Sequence, residues 1–490
     1  MDALLPRALL NRFYVVLLVI NCWSSPLVDI GFHKQDEARR RFACVALDCL
    51  LDLMACMGIQ LIVLLAYVDD YDPGIKGFDG TIWYNDEWVA RALNEFQIIV
   101  VVSWSDLVSR AVFSLGLFIT TMSMKKLILQ RPRCSNRIIF GVWGFVILGL
   151  HIHASLQPTL PQCLMQVSPW TASRPSCYLA GLDCHTLGIS GSVEQVLDKW
   201  SEFDAFTVVQ LLIRHCPALE VPHIFSDFHN LRVIKVYNTT IIDWGESAAI
   251  TNTNHPYMAS LFIVRVNMTD GVLPAGFQSE DFPQSLNDIE ICVTNLRDLP
   301  SDLDVKWAEG AIIQVEYSRL ETLPLVLARL KPYYLYLTGN PISDLPPEIL
   351  GVDGMVSLGM GDTNVSQLPP NVTDVSPSLS LIEIDNTNIS FFWSWVDGFV
   401  GRTENPGMFV AGGSFYCEEL EQIEENSSSS FQVSPAPEYS SVLMDPFETN
   451  RGAILRAVDC TEYDIGPYYP LEFDDGINAI TAPPPFGKHR

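Results

Sequence analysis

Positive charge is scarce in the last two thirds of this 490-residue chain. Residues 157–490 hold 16 Lys plus Arg against 43 Asp plus Glu, while residues 1–156 hold 14 of each, so the net charge of −27 belongs to the second part. A surface that poor in cations repels phosphate, which excludes nucleic acid as a partner. Also missing are a nucleotide-binding glycine loop, a kinase signature and a GxSxG elbow. Cys163, Cys177 and Cys184 lack the CxxC spacing of a zinc site. No catalytic, cofactor-binding or metal-binding residue is assigned, and the chain reads as a non-enzyme without cofactors.

What is present is a repeat. Two apolar residues two apart, then a small polar residue three further on, recur with a period mostly in the low twenties. The first apolar residue falls at Leu187, Leu211, Ile234, Val264, Ile289, Ile313, Leu335, Leu358, Ile382 and Phe409. Five residues after each stand Ser192, Cys216, Thr239, Thr269, Thr294, Ser318, Asn340, Thr363, Thr387 and Ser414. In stacked coils a short strand feeds a buried corner, where a small side chain bonds the freed backbone of its neighbour. Leu296, Leu320, Ile342 and Val365 follow in the later copies, each three residues ahead of a Leu-Pro pair at Leu299, Leu323, Leu345 and Leu368.

This pattern resembles the leucine-rich repeat. It implies an α/β leucine-rich-repeat solenoid of about ten coils, with short parallel strands, over residues 187–416. Residues 157–186 then form a Cys-containing N-terminal cap, and 417–490 a C-terminal cap with an acidic tail.

Residues 1–156 read as a transmembrane region of three or four helices, so the expected fold is the solenoid preceded by an α-helical transmembrane bundle. The stretch 138–156 is 19 residues without Lys, Arg, Asp or Glu, long enough to cross hydrocarbon. Residues 44–68 and 97–124 are also long and apolar, though they carry Asp48, Asp52, Asp106 and Arg110; 13–30 is the weakest candidate. Basic loops stay cytoplasmic, which places 32–43 and 125–137 inside and 69–96 outside. The last span then delivers residues 157–490 to the exterior of the plasma membrane.

Two further features agree with export. Acceptor sequences for N-glycosylation occur at Asn238, Asn267, Asn364, Asn371, Asn388 and Asn426, and none precedes residue 157. Cys163, Cys177 and Cys184 crowd the start of the array while Cys417 and Cys460 bracket its end, as disulfide-closed caps require. Cys417 is expected to pair with Cys460, and two of the first three with each other; which two stays open. Cys216, on the corner ladder, reads as a buried free thiol.

A narrower likeness rests on HIHASLQPTLPQCLMQVSPW (151–170), the following RPSC and DC, and NCWSSPL (21–27). With these the chain resembles the multi-pass membrane-anchored leucine-rich-repeat proteins of oomycetes. That likeness implies the architecture and no ligand.

Residues alternating with buried aliphatics point to the concave sheet. They are Lys235, Tyr237, Arg265, Glu290, Glu316, Tyr334, Tyr336, Glu383 and Asp385, with Asn267 on the same face. Tyr and Arg are common anchors of protein interfaces. The expected function is that of a membrane-anchored extracellular glycoprotein recognising a protein or peptide ligand, or adhering to one, with any signal passed to a membrane co-receptor. The alternative is a channel or transporter. Four spans ahead of a carboxyl-terminal array are also similar to the leucine-rich-repeat volume-regulated anion channels, and Asp48, Asp52, Asp106 and Arg110 would then be functional.

Overall fold

The computed structural model describes residues 7–31, 37–100, 134–170, 172–402, 407–463 and 466–477, with scattered positions from 104 to 118. Two compact units divide the chain: residues 1–179 with 202–204, and residues 180–201 with 205–490.

The first unit is helical. Helices α1 (Ala8–Gly31), α2 (Glu37–Leu53), α3 (Ile59–Leu65), α4 (Asp86–Ile99) and α5 (Cys134–Ser155) precede a strand, β1 (Cys163–Val167). Val15 and Val19 of α1 pack with Ile147 of α5, and the Trp23 indole N–H donates to the Gly141 carbonyl at 3.1 Å. An aromatic cluster of Tyr67, Phe78, Trp83, Trp88 and Phe96 closes its other end. There the Tyr67 hydroxyl and the Arg7 guanidinium both bind the buried Glu95 carboxylate, each at 2.9 Å. Large apolar side chains remain on the surface of this unit, among them Leu61, Leu65, Phe140, Trp143 and Phe145.

The expected transmembrane bundle is corrected. Among the described residues, no helix is long and apolar enough to cross a membrane. The expectation rested on uncharged length along the sequence, whereas a span needs a helix that is both long and apolar enough. Residues 44–68 are divided among α2, a π-helical turn at Met54–Gly58, and α3. Within α2, Asp52 accepts a hydrogen bond from Asn21 at 2.7 Å, a local structural hold. Most of 97–124, Asp106 included, lies outside the described residues, and so do 32–36 of the 32–43 loop and most of the 125–137 loop, while residues 37–43 begin α2. Arg110 donates to the carbonyls of Ile99 and Val100.

The second unit is a solenoid. After β2 (Ser176–Asp183), which runs through the unit boundary, come β3 (Gln210–Arg214), β4 (Val233–Tyr237), β5 (Ser260–Val264), β6 (Asp288–Cys292) and β7 (Ile312–Glu316). They are followed by β8 (Tyr334–Tyr336), β9 (Ser357–Gly359), β10 (Leu381–Glu383), β11 (Phe409–Val410) and β12 (Val458–Asp459). From β3 to β12 each strand lies beside its predecessor in one parallel sheet. Several of the returns between strands are short 3₁₀ turns, as at His223–Asp227 and Ala275–Phe277, which suits such short coils.

Register fixes the core. Leu211, Ile234, Leu261, Ile289, Ile313, Leu335, Leu358, Ile382 and Phe409 form one buried column, all at most 1% exposed. Burying each such side chain is worth about 1.5–3 kcal/mol. Four residues after each member the backbone turns left-handed, at His215, Asn238, Arg265, Val293, Tyr317, Gly339, Asp362, Asn386 and Gly413, with φ from 44° to 73°. The next residue enters the ladder. Asn340 shows what the ladder does: its amide donates to the Val315 and Leu337 carbonyls, at 2.6 and 2.9 Å, and its oxygen accepts from Leu320 N–H at 3.1 Å. Thr363 and Thr387 bond the carbonyls of Met360 and Ile384.

Two copies of the expected repeat shift. The fourth coil opens at Leu261 rather than Val264, because Leu261 pairs with Ile234 and Ile289, and its ladder residue is Val266 rather than Thr269. Leu187 lies in a short helix, Cys184–Leu187, so no strand starts there.

Three disulfides form: Cys184–Cys216 and Cys417–Cys460 close the array, and Cys163–Cys177 lies within the first unit. Cys216 is thus not the free thiol expected, since the cap helix brings Cys184 against its corner. Three disulfides are the mark of a domain matured in an oxidising, extracellular or secreted setting.

Candidate functional site

On the concave face the middle column reads Leu212, Lys235, Phe262, Glu290, Gln314, Tyr336, Gly359 and Glu383 from β3 to β10. A flanking column holds Arg214, Tyr237, Val264, Cys292 and Glu316. Cations therefore sit over the first coils and carboxylates over the later ones, with aromatics between. Gly359 is part of this design: a Cβ there would lie 2.2 Å from Tyr336 Cδ1, so only glycine lets the Tyr336 ring lie across it.

The face is not bare. Beyond β12 and the Cys417–Cys460 disulfide the chain doubles back, and residues 466–477 lie along the concave surface as a strap. Its one regular element is a single helical turn, Glu472–Asp475. Asp474 accepts from Arg214 at 2.8 Å and from Lys235 at 3.2 Å, and the Tyr469 hydroxyl donates to the same carboxylate. Arg265 holds Asp475 with two bonds of 2.9 Å, and Tyr237 donates to it as well. The Tyr468 ring stacks on Tyr336 at 5.5 Å and 19°, and the Tyr468 N–H donates to Glu316 at 2.8 Å. Lys235 lies over the rings of Phe262 and Tyr469. His215 Nε2 meets the Ile477 carbonyl at 3.2 Å.

Electrostatics follow from this cover. Burial pushes Glu316 up to about 8 and Glu383 to about 7, the latter helped by Asp385. Burial also raises Asp474, but the Lys235 and Arg214 charges outweigh it and hold the carboxyl below its ordinary value. Burial and the Asp475 carboxylate raise the Tyr237 hydroxyl.

Of the nine residues assigned to the concave face from sequence, Lys235, Glu290 and Glu316 are each 1% exposed. Tyr237 and Tyr336 are buried; Tyr334, Glu383 and Asp385 are half-buried. Arg265 belongs to the left-handed corner after β5, from which its guanidinium still reaches the strap. Asn267 is not on this face: it starts a strand, Asn267–Met268, of a second small sheet and pairs with Thr240. All six asparagines of the acceptor sequences are exposed.

Sequence reasoning missed Arg214, Phe262 and the whole strap. The signal was present in YYPLEFDDG, two adjacent tyrosines and two adjacent acids in a tail taken as only acidic.

No protein-family model matches the chain, and no curated protein matches it. Among solved structures 150 chains match. One is an internalin from Listeria monocytogenes, 17% identical, with a TM-score of 0.31. The match covers 42% of this chain and 56% of the internalin, little more than half of that protein's length. No relationship to the oomycete membrane proteins appears in these comparisons. The repeat fold rests on strand register and corner geometry.

Proposed function

We propose that the solenoid is a recognition module that binds a peptide segment of a partner protein along its concave face, with no catalysis of its own. One observation carries this reading: the face holds a peptide segment, residues 466–477, through ion pairs, ring stacking and a backbone hydrogen bond. Those contact types also hold peptides in protein interfaces, where buried aromatic and Arg anchors dominate.

Selection from a random peptide display library tests it, using the full chain with Asp474→Asn and Asp475→Asn to weaken the strap. The reading expects enriched peptides whose affinity falls about tenfold or more when Lys235→Ala and Arg265→Ala are added. No enrichment, or peptides indifferent to both substitutions, contradicts it.

A further inference from the structure

We infer that the partner segment is an acidic, tyrosine-bearing peptide, two adjacent aromatics and, after four intervening residues, two adjacent carboxylates, and that residues 466–477 imitate it in cis and keep the face closed. The inference rests on the recognition reading and adds the chemistry of the ligand and its regulation.

Charge argues first. Residues 157–490 have only 16 Lys and Arg, yet Arg214, Lys235 and Arg265 converge on Asp474 and Asp475. The Arg214 and Lys235 side chains are 7% and 1% exposed. Cations that deep are costly unless an anion accompanies them. An occupant lacking carboxylates at this place forfeits those pairs. The flat Arg265 fork specifies a carboxylate further, because both arms bond one group.

Shape argues second. The Tyr336 ring, lying over Gly359, offers a flat shelf on which an aromatic side chain stacks, and Phe262 with Lys235 forms a second seat for a neighbouring ring. Glu316 supplies an acceptor for an incoming backbone N–H. Aromatic seats and the carboxylate cradle lie in a fixed order along the sheet, so they read a sequence rather than a bulk charge.

The strap is built to leave. It joins no sheet and has one four-residue helical turn, so its hold comes chiefly from side chains. Cys460, joined to Cys417, pins the chain just ahead of it. That tether keeps the pseudo-ligand at an effective concentration on the order of millimolar. A free peptide of equal intrinsic affinity then competes poorly until the strap is weakened.

The probe is a fluorescent peptide, GPYYPLEFDDGI, titrated into the full chain. Binding to the Asp474→Asn/Asp475→Asn chain should be about tenfold or more tighter than to the unaltered chain, and should weaken about fivefold on adding Arg265→Ala. A scrambled peptide, or one with both Asp replaced by Asn, should not bind. Tyr468→Ala supplies a second opened chain should the double variant fail to fold. Equal binding of the scrambled peptide, or no binding to a folded opened chain, overturns the inference. So does a concentration-dependent dimer that disappears with Asp474→Asn/Asp475→Asn, since the occupant would then be a second copy. If the display library instead yields basic or apolar peptides that still need Lys235 and Arg265, recognition stands and this ligand chemistry falls.

Discussion

Arg265 grips Asp475 with both arms of its guanidinium, Nε to Oδ1 and Nη2 to Oδ2, each at 2.9 Å, across 210 residues of sequence. The arginine is 12% exposed and the aspartate 24%. Solvent screening at that exposure reduces the pair to about 1 kcal/mol. Arg265→Ala should therefore raise the open fraction of the strap roughly fivefold. Limited proteolysis after residue 466 checks this; an unchanged cleavage rate would count against the grip.

Closure should weaken as pH rises. Glu316, ordinarily near 4.5, is raised to about 8 beneath the strap by burial, offset in part by the Tyr468 N–H. The closed state thus holds a proton that the open state releases. The stability from this group is complete below about 4.5 and is lost as pH rises through about 8. Glu383, at about 7, adds the same sign; Glu290, Cys292, Tyr317, Tyr336, Asp385 and Tyr468 are other titratable groups near them. Asp474 acts oppositely: its lowered pKa gives stability present above 3.8 and lost as acid protonates it. Hydrogen exchange of residues 468–477, corrected for intrinsic rates, should therefore accelerate between pH 5 and 8. Glu316→Gln should remove most of that slope; a slope of opposite sign sinks the argument.

Gly359→Ala should loosen the strap without unfolding the array. The new methyl would meet Tyr336 Cδ1 at 2.2 Å, and the ring must swing off its shelf. The lost stack with Tyr468 is worth about 0.5–1.5 kcal/mol. Tyr336→Ala should match it in strap exchange, and retained protection of 468–477 in both variants would contradict the shelf.

Cys216→Ser breaks the cap disulfide with Cys184, which spans 32 residues. Unfolding stability should fall by about 2–4 kcal/mol, read from chemical denaturation without reductant, and one new titratable thiol should appear. An unchanged midpoint would return Cys216 to the role of a plain buried thiol.

Val293 holds φ of 58° at its corner, a conformation costly for a β-branched residue. Val293→Asn should stabilise the array by about 1 kcal/mol, seen as a higher thermal midpoint. Destabilisation would show that its side-chain contacts outweigh the strain.

The coils were legible because a period of two within strands and a fixed corner leave marks at single residues, such as Asn340 and Thr387. Register failed at Val264 because Ser260–Val264 is apolar at four of five positions, so alternation could not pick the core-facing pair; Leu261 was chosen by its neighbours. The membrane reading failed because apolar length in sequence is not itself a helix long and apolar enough to span: α2 carries Asp48 and Asp52, and its period gives way to a π-helical turn at Met54–Gly58. The strap was invisible because its hydrogen bonds to the sheet join residues 152 to 262 positions apart, such as Lys235 with Asp474. Complementarity between Arg265 and DD at 474–475 was written in the chain but had no local period to reveal it.

The central claim is that residues 466–477 occupy a peptide site. Hydrogen exchange of the intact chain with increasing GPYYPLEFDDGI tests it most directly. Displacement predicts that amides of the chain's own residues 468–477 lose protection as peptide is added, while β3 to β7 stay protected. Protection of 468–477 that persists at saturating peptide, with the peptide bound elsewhere or not at all, would contradict the account.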